Sequence, residues 1–189
     1  MADQASSSRN TMMDDLTDMA RSVMGGASQP KGLADLMVHA LKDIYYAEKK
    51  IYKALPKMIR AAHDPQLQQL LTQHRDETGQ QIEIIEQVFE QMGKRPQAER
   101  CDAMDGILEE GDHLLSEFGG TQAGDAAIIF SAQAVEHYEI TRYGSIHAYA
   151  TALGQTEVAQ MIGQILAQEK AADEKLTALA ESRVNAAAA

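Results

Sequence analysis

Glu48, Glu77, Glu139 and Glu169 each stand near the middle of a long helical pattern, on the stripe that should otherwise be apolar. Carboxylates gathered away from water do one of two things: they share protons or they hold cations. A buried carboxylate with no partner costs several kcal/mol, roughly, even after relaxation. Four at one depth therefore call for positive charge between them, most simply a pair of metal ions. Glu136 lies three residues before Glu139, and Asp173 lies four after Glu169, so each shares a helix face with its neighbour. The candidate ligand set is then Glu48, Glu77, Glu136, Glu139, Glu169 and Asp173, with the four first-named glutamates as the reactive core. Two divalent ions would offset four of these six formal negative charges. Carboxylate oxygens suit hard cations such as Mn and Mg, and Fe as well. Bridging carboxylates can hold two metals about 3.5 to 4 Å apart. The competing reading is a solvated polar layer or an acid cluster that shares protons. It is weakened because four helices carry the same interruption.

Other polar groups fall close by. His74 sits one turn before Glu77 and points the same way, either as a ligand, as a group orienting one, or as a satisfied core histidine. Gln81 follows Glu77 by four residues. Tyr52 and Tyr143 each lie one turn from a proposed ligand, where core packing with a hydrogen bond to a carboxylate is expected. Asp43 flanks the first stripe. His137 is a step off its stripe and is expected at the surface.

Positioning these groups falls to helices. The first is expected over 33–62, with Met37, Leu41, Ile44, Glu48, Ile51, Leu55 and Met58 at steps of three and four. Pro56 is expected to kink it. Asp64-Pro65 reads as N-cap and first residue of a second helix over 65–92, which Gly93 stops. Residues 93–122 form a long connection in which Asp102 should cap a short helix reaching Phe118. The third long helix spans 123–153 with Gly154 as its C-cap. Thr156 caps the fourth, over 157–183.

Two tight turns make two antiparallel hairpins, and the single long crossover makes the topology ferritin-like: an all-α four-helix bundle with a short extra helix. Within a hairpin, equal distance from the turn means equal depth. Glu48 lies 16 residues before Asp64 and Glu77 lies 13 after it; Glu139 lies 16 before Gln155 and Glu169 lies 14 after it. The mismatches correspond to roughly 3 to 5 Å of axial rise. All four carboxylates are thus expected at one level.

The chain's 189 residues suit one domain. A polar tail is expected over 1–31, with weak amphipathic spacing over 12–24, then the bundle over 32–185 and a frayed end over 186–189. The net charge of −11 and the lack of Lys/Arg clusters argue against nucleic acid or an anionic membrane as partner. Cys101 is the only cysteine, so neither a disulfide framework nor a thiolate cluster is expected. With no apolar run of about 18 residues and no secretory signal pattern, a cytoplasmic location is expected.

Four stretches carry a resemblance: Leu41-Lys-Asp-Ile-Tyr-Tyr-Ala-Glu-Lys-Lys50, His74-Arg-Asp-Glu-Thr78, Gln133-Ala-Val-Glu-His-Tyr-Glu139 and Glu169-Lys-Ala-Ala-Asp-Glu-Lys-Leu176. The chain resembles the YciE/YciF family of bacterial ferritin-like proteins, on its YciF branch, from about Leu33 to Val184. The resemblance implies a dinuclear metal site, a homodimer and a stress-response setting, with a ferroxidase label. The ligand candidates it implies are the six carboxylates above, with Asp43, His74 and Gln81 close by. One departure stands out. The broad di-iron pattern places Glu-x-x-His on the second and fourth helices, whereas here those positions hold Gln80 and Ala172. The leading expectation is Fe(II) oxidation with O2 or peroxide at two Fe ions, Mn being the other metal. The alternatives are manganese catalase-like peroxide disproportionation and a non-catalytic protein that holds metal for stability.

Overall fold

A computed structural model describes residues 31–189. The expected tail and the weak helical spacing at 12–24 lie outside the described residues, apart from Lys31. The described residues form five long helices: α1 Leu33–Ala61, α2 Pro65–Gln91, α3 Asp102–Phe118, α4 Gly124–Ala152 and α5 Thr156–Leu179. A π-helical turn, Ala180–Val184, follows α5 and leads into a last helical turn, α6 Asn185–Ala188, where a frayed end was expected. No strand occurs among the described residues.

α1 packs on α2 and α4, and α5 packs on α4 and α2, so four helices enclose one core. Each turns the predicted stripe inward: Met37, Leu41, Ile44, Ile51 and Leu55 of α1 are buried, as are Ile128, Ile129, Tyr143 and Ile146 of α4. The crossover helix α3 lies against α4 and α1. Its Asp105 accepts from Tyr46 and pairs with Lys50 at 3.1 Å, which ties it to α1.

The turn chemistry follows the sequence in part. Asp64 caps α2, its carboxylate accepting from the Gln66 and Leu67 amides at 2.8 and 3.0 Å. Gly93 and Gly154 take positive φ, 65° and 70°, just beyond the C-terminal caps Met92 and Leu153. α1 runs through Pro56 as one helix. The C-cap of α4 is thus Leu153, one residue before the expected Gly154, and two N-caps also differ from expectation. Cys101, not Asp102, caps α3, because its Sγ accepts the Met104 amide while Asp102 pairs with Arg100. Gln155 rather than Thr156 stands at the cap of α5. Among the described residues no helix is long and apolar enough to cross a membrane.

Candidate metal centre

Each helix of the bundle brings one or two polar groups to a common level between apolar turns. In α1, Glu48 stands between Ile44 and Ile51; in α5, Glu169 stands between Ile165 and Leu176, all buried. α4 supplies Glu136 and Glu139, and α2 supplies His74. Glu48, Glu139 and Glu169 are 0 % exposed, Glu136 is 1 % and His74 is 6 %. His74, Glu136, Glu139 and Glu169 each offer one donor atom, and these four atoms lie within 4.8 Å of one another. The imidazole Nδ1 is 3.5 Å from Glu136, and its Nε2 is 4.0 Å from Glu139. Glu48 completes the level, receiving a hydrogen bond from the buried Tyr143 hydroxyl. The Gln81 amide donates to Glu169 and, at 3.2 Å, to Gln168.

Donors are far too few for these acids. Glu48 Oε2, Glu136 Oε2, Glu169 Oε2 and both oxygens of Glu139 have no hydrogen-bond partner, and neither does His74 Nδ1. Native interiors rarely leave such groups unpaired. Burial, reinforced by the charge of Glu169, pushes the Glu48 carboxyl up to about 8. Burial pushes Glu169 up to about 7, and it holds Glu136 and Glu139 well above the usual carboxylate range. Burial also lowers His74 to about 4, which keeps the imidazole neutral and free to donate a lone pair. Glu48 with Glu139, and Glu136 with Glu169, lie close enough to share protons. A cation can take the place of those protons. Carboxylate oxygens with one neutral imidazole form a donor set that fits Fe, Mn or Zn and lacks the thiolates that softer metals prefer.

The remaining predicted residues border this level. Glu77 is half-buried and accepts from Gln73 at 2.8 Å. Asp173 accepts from Gln133 and faces His137, which is exposed as expected. Both stay near enough for their charges to raise Glu169 and Glu136 respectively. Asp43 takes the Tyr138 hydroxyl at 2.7 Å and pairs with Arg142 at 3.1 Å, so its carboxylate is engaged there. Tyr52 departs from its repeat mate Tyr143. It receives a hydrogen bond from Arg75 at 3.2 Å, with the guanidinium over its ring, rather than meeting a carboxylate. Sequence reasoning missed Gln133, which bridges Asp173 and Thr177. It also missed Tyr138, whose position beside Glu139 on the outer face was the available signal.

Residues 32–189 match the family described as Domain of unknown function (DUF892). Protein YciF of Escherichia coli (strain K12) is 40% identical over 156 residues, spanning 82% of this chain and 94% of that protein. The crystal structure of the E. coli stress protein YciF agrees with a TM-score of 0.78 at 40% identity, covering 82% of this chain and 98% of that one. YcfI from Rhodopseudomonas palustris, for which a structural role has been suggested, gives 0.77 at 45% identity, over 80% of this chain and 96% of its own. A protein from Xanthomonas campestris pv. campestris gives 0.63 at 26% identity, over 82% of this chain and 95% of that one.

Proposed function

The chain belongs to the DUF892 family, and on that footing we propose that it is a cytoplasmic, homodimeric stress-response protein that binds two Fe ions and oxidises Fe(II) with O2 or peroxide. The observation that carries this reading is the set of five buried carboxylate oxygens without donors, with Glu136, Glu139 and Glu169 gathered around one neutral histidine. Glu48, Glu136, Glu139 and Glu169 together carry four formal negative charges, which two divalent cations would cancel. A bound Fe pair supplies one-electron steps at each metal. In balance, two Fe(II) give up two electrons, and one O2 with two protons becomes hydrogen peroxide. With peroxide as acceptor, the same two electrons and two protons give two waters.

The chain's own groups divide the work. Glu136, Glu139, Glu169 and Glu48 hold the cations, and their negative charge favours the more highly charged product over Fe(II). His74 supplies the nitrogen that the Glu-x-x-His pattern lacks, from the position three residues before Glu77. Tyr143 and Gln81 fix the orientations of Glu48 and Glu169. Glu77 and Asp173 stand at the border, where a carboxylate can pass an incoming cation inward. The apolar turns above and below the level keep bulk water away from the carboxylates.

Anaerobic Fe(II) titration followed by exposure to air, read by absorbance, tests the reading. Two equivalents bound and then oxidised is the expected result, with Glu139→Gln and Glu169→Gln losing affinity by about 100-fold or more. Mn-dependent loss of peroxide without Fe(II) oxidation would replace it with the catalase-like reading. Metal that raises the melting temperature without any turnover would favour a structural role, the one suggested for the R. palustris relative.

A further inference from the structure

His74 and Glu136 border two cavities. The first, about 20 Å³, opens toward α5 and has Gln73, Glu77 and Lys175 in its wall. The second, about 40 Å³, lies on the other side of the α2–α4 pair, between the bundle and the crossover helix. Ile51 and Leu55 of α1, Ile107 and Leu108 of α3, and Ile128 and Val135 of α4 line it. Ile107 and Leu108 are only half-buried and form its outer wall. Ser131, its one hydroxyl, already donates to the Ala127 carbonyl at 3.0 Å. α3 passes close to α1 at Gly111, where a Cβ would stand 3.3 Å from the Met58 methyl.

We propose that this second cavity is a holding site for dioxygen, through which the oxidant reaches the His74–Glu136 side of the metal centre. The inference rests on the ferroxidase reading and sharpens it, because it chooses between the two oxidants. The space exceeds the roughly 10 to 15 Å³ that one water requires, and its polar groups are confined to the His74–Glu136 end and to Ser131, whose hydroxyl is already engaged; the stretch under Ile107 and Leu108 is walled by aliphatic side chains and favours an apolar occupant. Hydrogen peroxide would have to give up the water bonded to both its hydroxyl groups to enter. Dioxygen gives up nothing of the kind. The crossover helix thereby gains a role, as the roof of a gas site.

Xenon is the probe. Crystals of the full chain pressurised with xenon, examined by anomalous scattering, should show an atom between Ile107 and Val135 with or without metal bound. Ala132→Leu and Ile107→Phe, both in the cavity wall, should exclude it. They should also raise the KM for O2 by about threefold or more at unchanged kcat, the pattern of a lost binding step, and leave peroxide-driven oxidation as it was. The two variants guard against a folding defect in either one, and helical circular dichroism checks both. Absence of xenon from the unmodified protein would overturn the proposal, as would O2 kinetics indifferent to filling the cavity. If no Fe(II) is oxidised at all, the underlying reading fails and takes the dioxygen assignment with it. Oxidation that continues unaffected by the filled cavity sinks the cavity alone.

Discussion

Helix α4 carries two polar clusters one residue apart, and they are built on opposite terms. Facing inward, Glu136 and Glu139 meet Glu169, Glu48 and His74, and most of their oxygens lack a donor. Facing α1 and α3, Tyr138 donates to Asp43, accepts from Arg142 at 3.0 Å and sits 2.9 Å from the Cys101 Sγ, while Arg142 also closes onto Asp43. The second cluster is neutralised by its own members and holds the crossover to the bundle. The first is not neutralised by anything the protein supplies. Both contain acids, but the second is only half-buried and carries its own donors, whereas the first is fully buried and short of them.

The strongest way to break this contrast is to remove charge from the inward cluster. Glu139→Gln with Glu169→Gln should abolish measurable Fe(II) and Mn(II) binding in calorimetric titration, yet leave the metal-free protein as stable as the parent or more so, since two unpaired buried acids are gone. Metal at a hundred times its Kd should stabilise the parent by about 2.7 kcal/mol per site, and the double variant not at all. A variant that melts earlier without metal would place the acids among the structural groups instead.

The pH response comes next. Free glutamate titrates near 4.5, while in the fold Glu48 is held at about 8 and Glu169 at about 7. Their stabilising contribution is whole below about pH 4.5 and is lost as the pH rises through 7 and 8. His74 works the other way. Lowered from 6.5 to about 4, it contributes fully above 6.5 and loses that contribution as the pH falls through 4. Because the acids outnumber the histidine, thermal melts of metal-free protein should fall from pH 5 to pH 8, and metal should flatten or reverse the trend. A metal-free melting temperature that rises over this interval would contradict the picture.

Smaller effects test the supports. Tyr143→Phe removes the hydroxyl that donates to Glu48 and should destabilise the metal-free protein by about 1 to 3 kcal/mol, less when metal is bound. Smallest is the outward cluster: Tyr138→Phe should cost about 0.5 to 1.5 kcal/mol in chemical denaturation with unchanged metal affinity. A change in affinity there would join the two clusters that the geometry keeps apart.

The hairpins, the crossover and the shared depth of the acids were all legible from the spacing of apolar residues and turn signals. Azimuth was not. Counting from Asp64 put Glu77 at the right height, but α2 centres its buried face on Leu71, His74, Thr78, Gln81 and Ile85. At about 100° per residue, Glu77 falls about 80° to one side of that line and finds Gln73 instead. Asp173 departs similarly from the line through Ile162, Ile165, Glu169 and Leu176. His74, on the centre line, therefore fills the place offered to Glu77. The repeat misled for a related reason. Tyr143 and Gln81 turn inward, whereas their counterparts Tyr52 and Asp173 are taken up by Arg75 and Gln133. A sequence repeat gives no account of which partner captures which copy.

The π-helical turn at Ala180–Val184 bears on how this chain can change length. Deleting one residue from an α-helix swings everything beyond it by about 100°, which ordinarily ruins a buried face. Here the widened turn, with its i→i+5 bonding, already holds one residue more than an α-turn would. At its C-terminal end Arg183 reaches back to Asp64 at 2.6 Å, and Val184 is buried. Loss of the exposed Ser182 would let the stretch relax to ordinary α geometry with both anchors still in phase. Within the described helices, a single-codon deletion here should pass almost unnoticed.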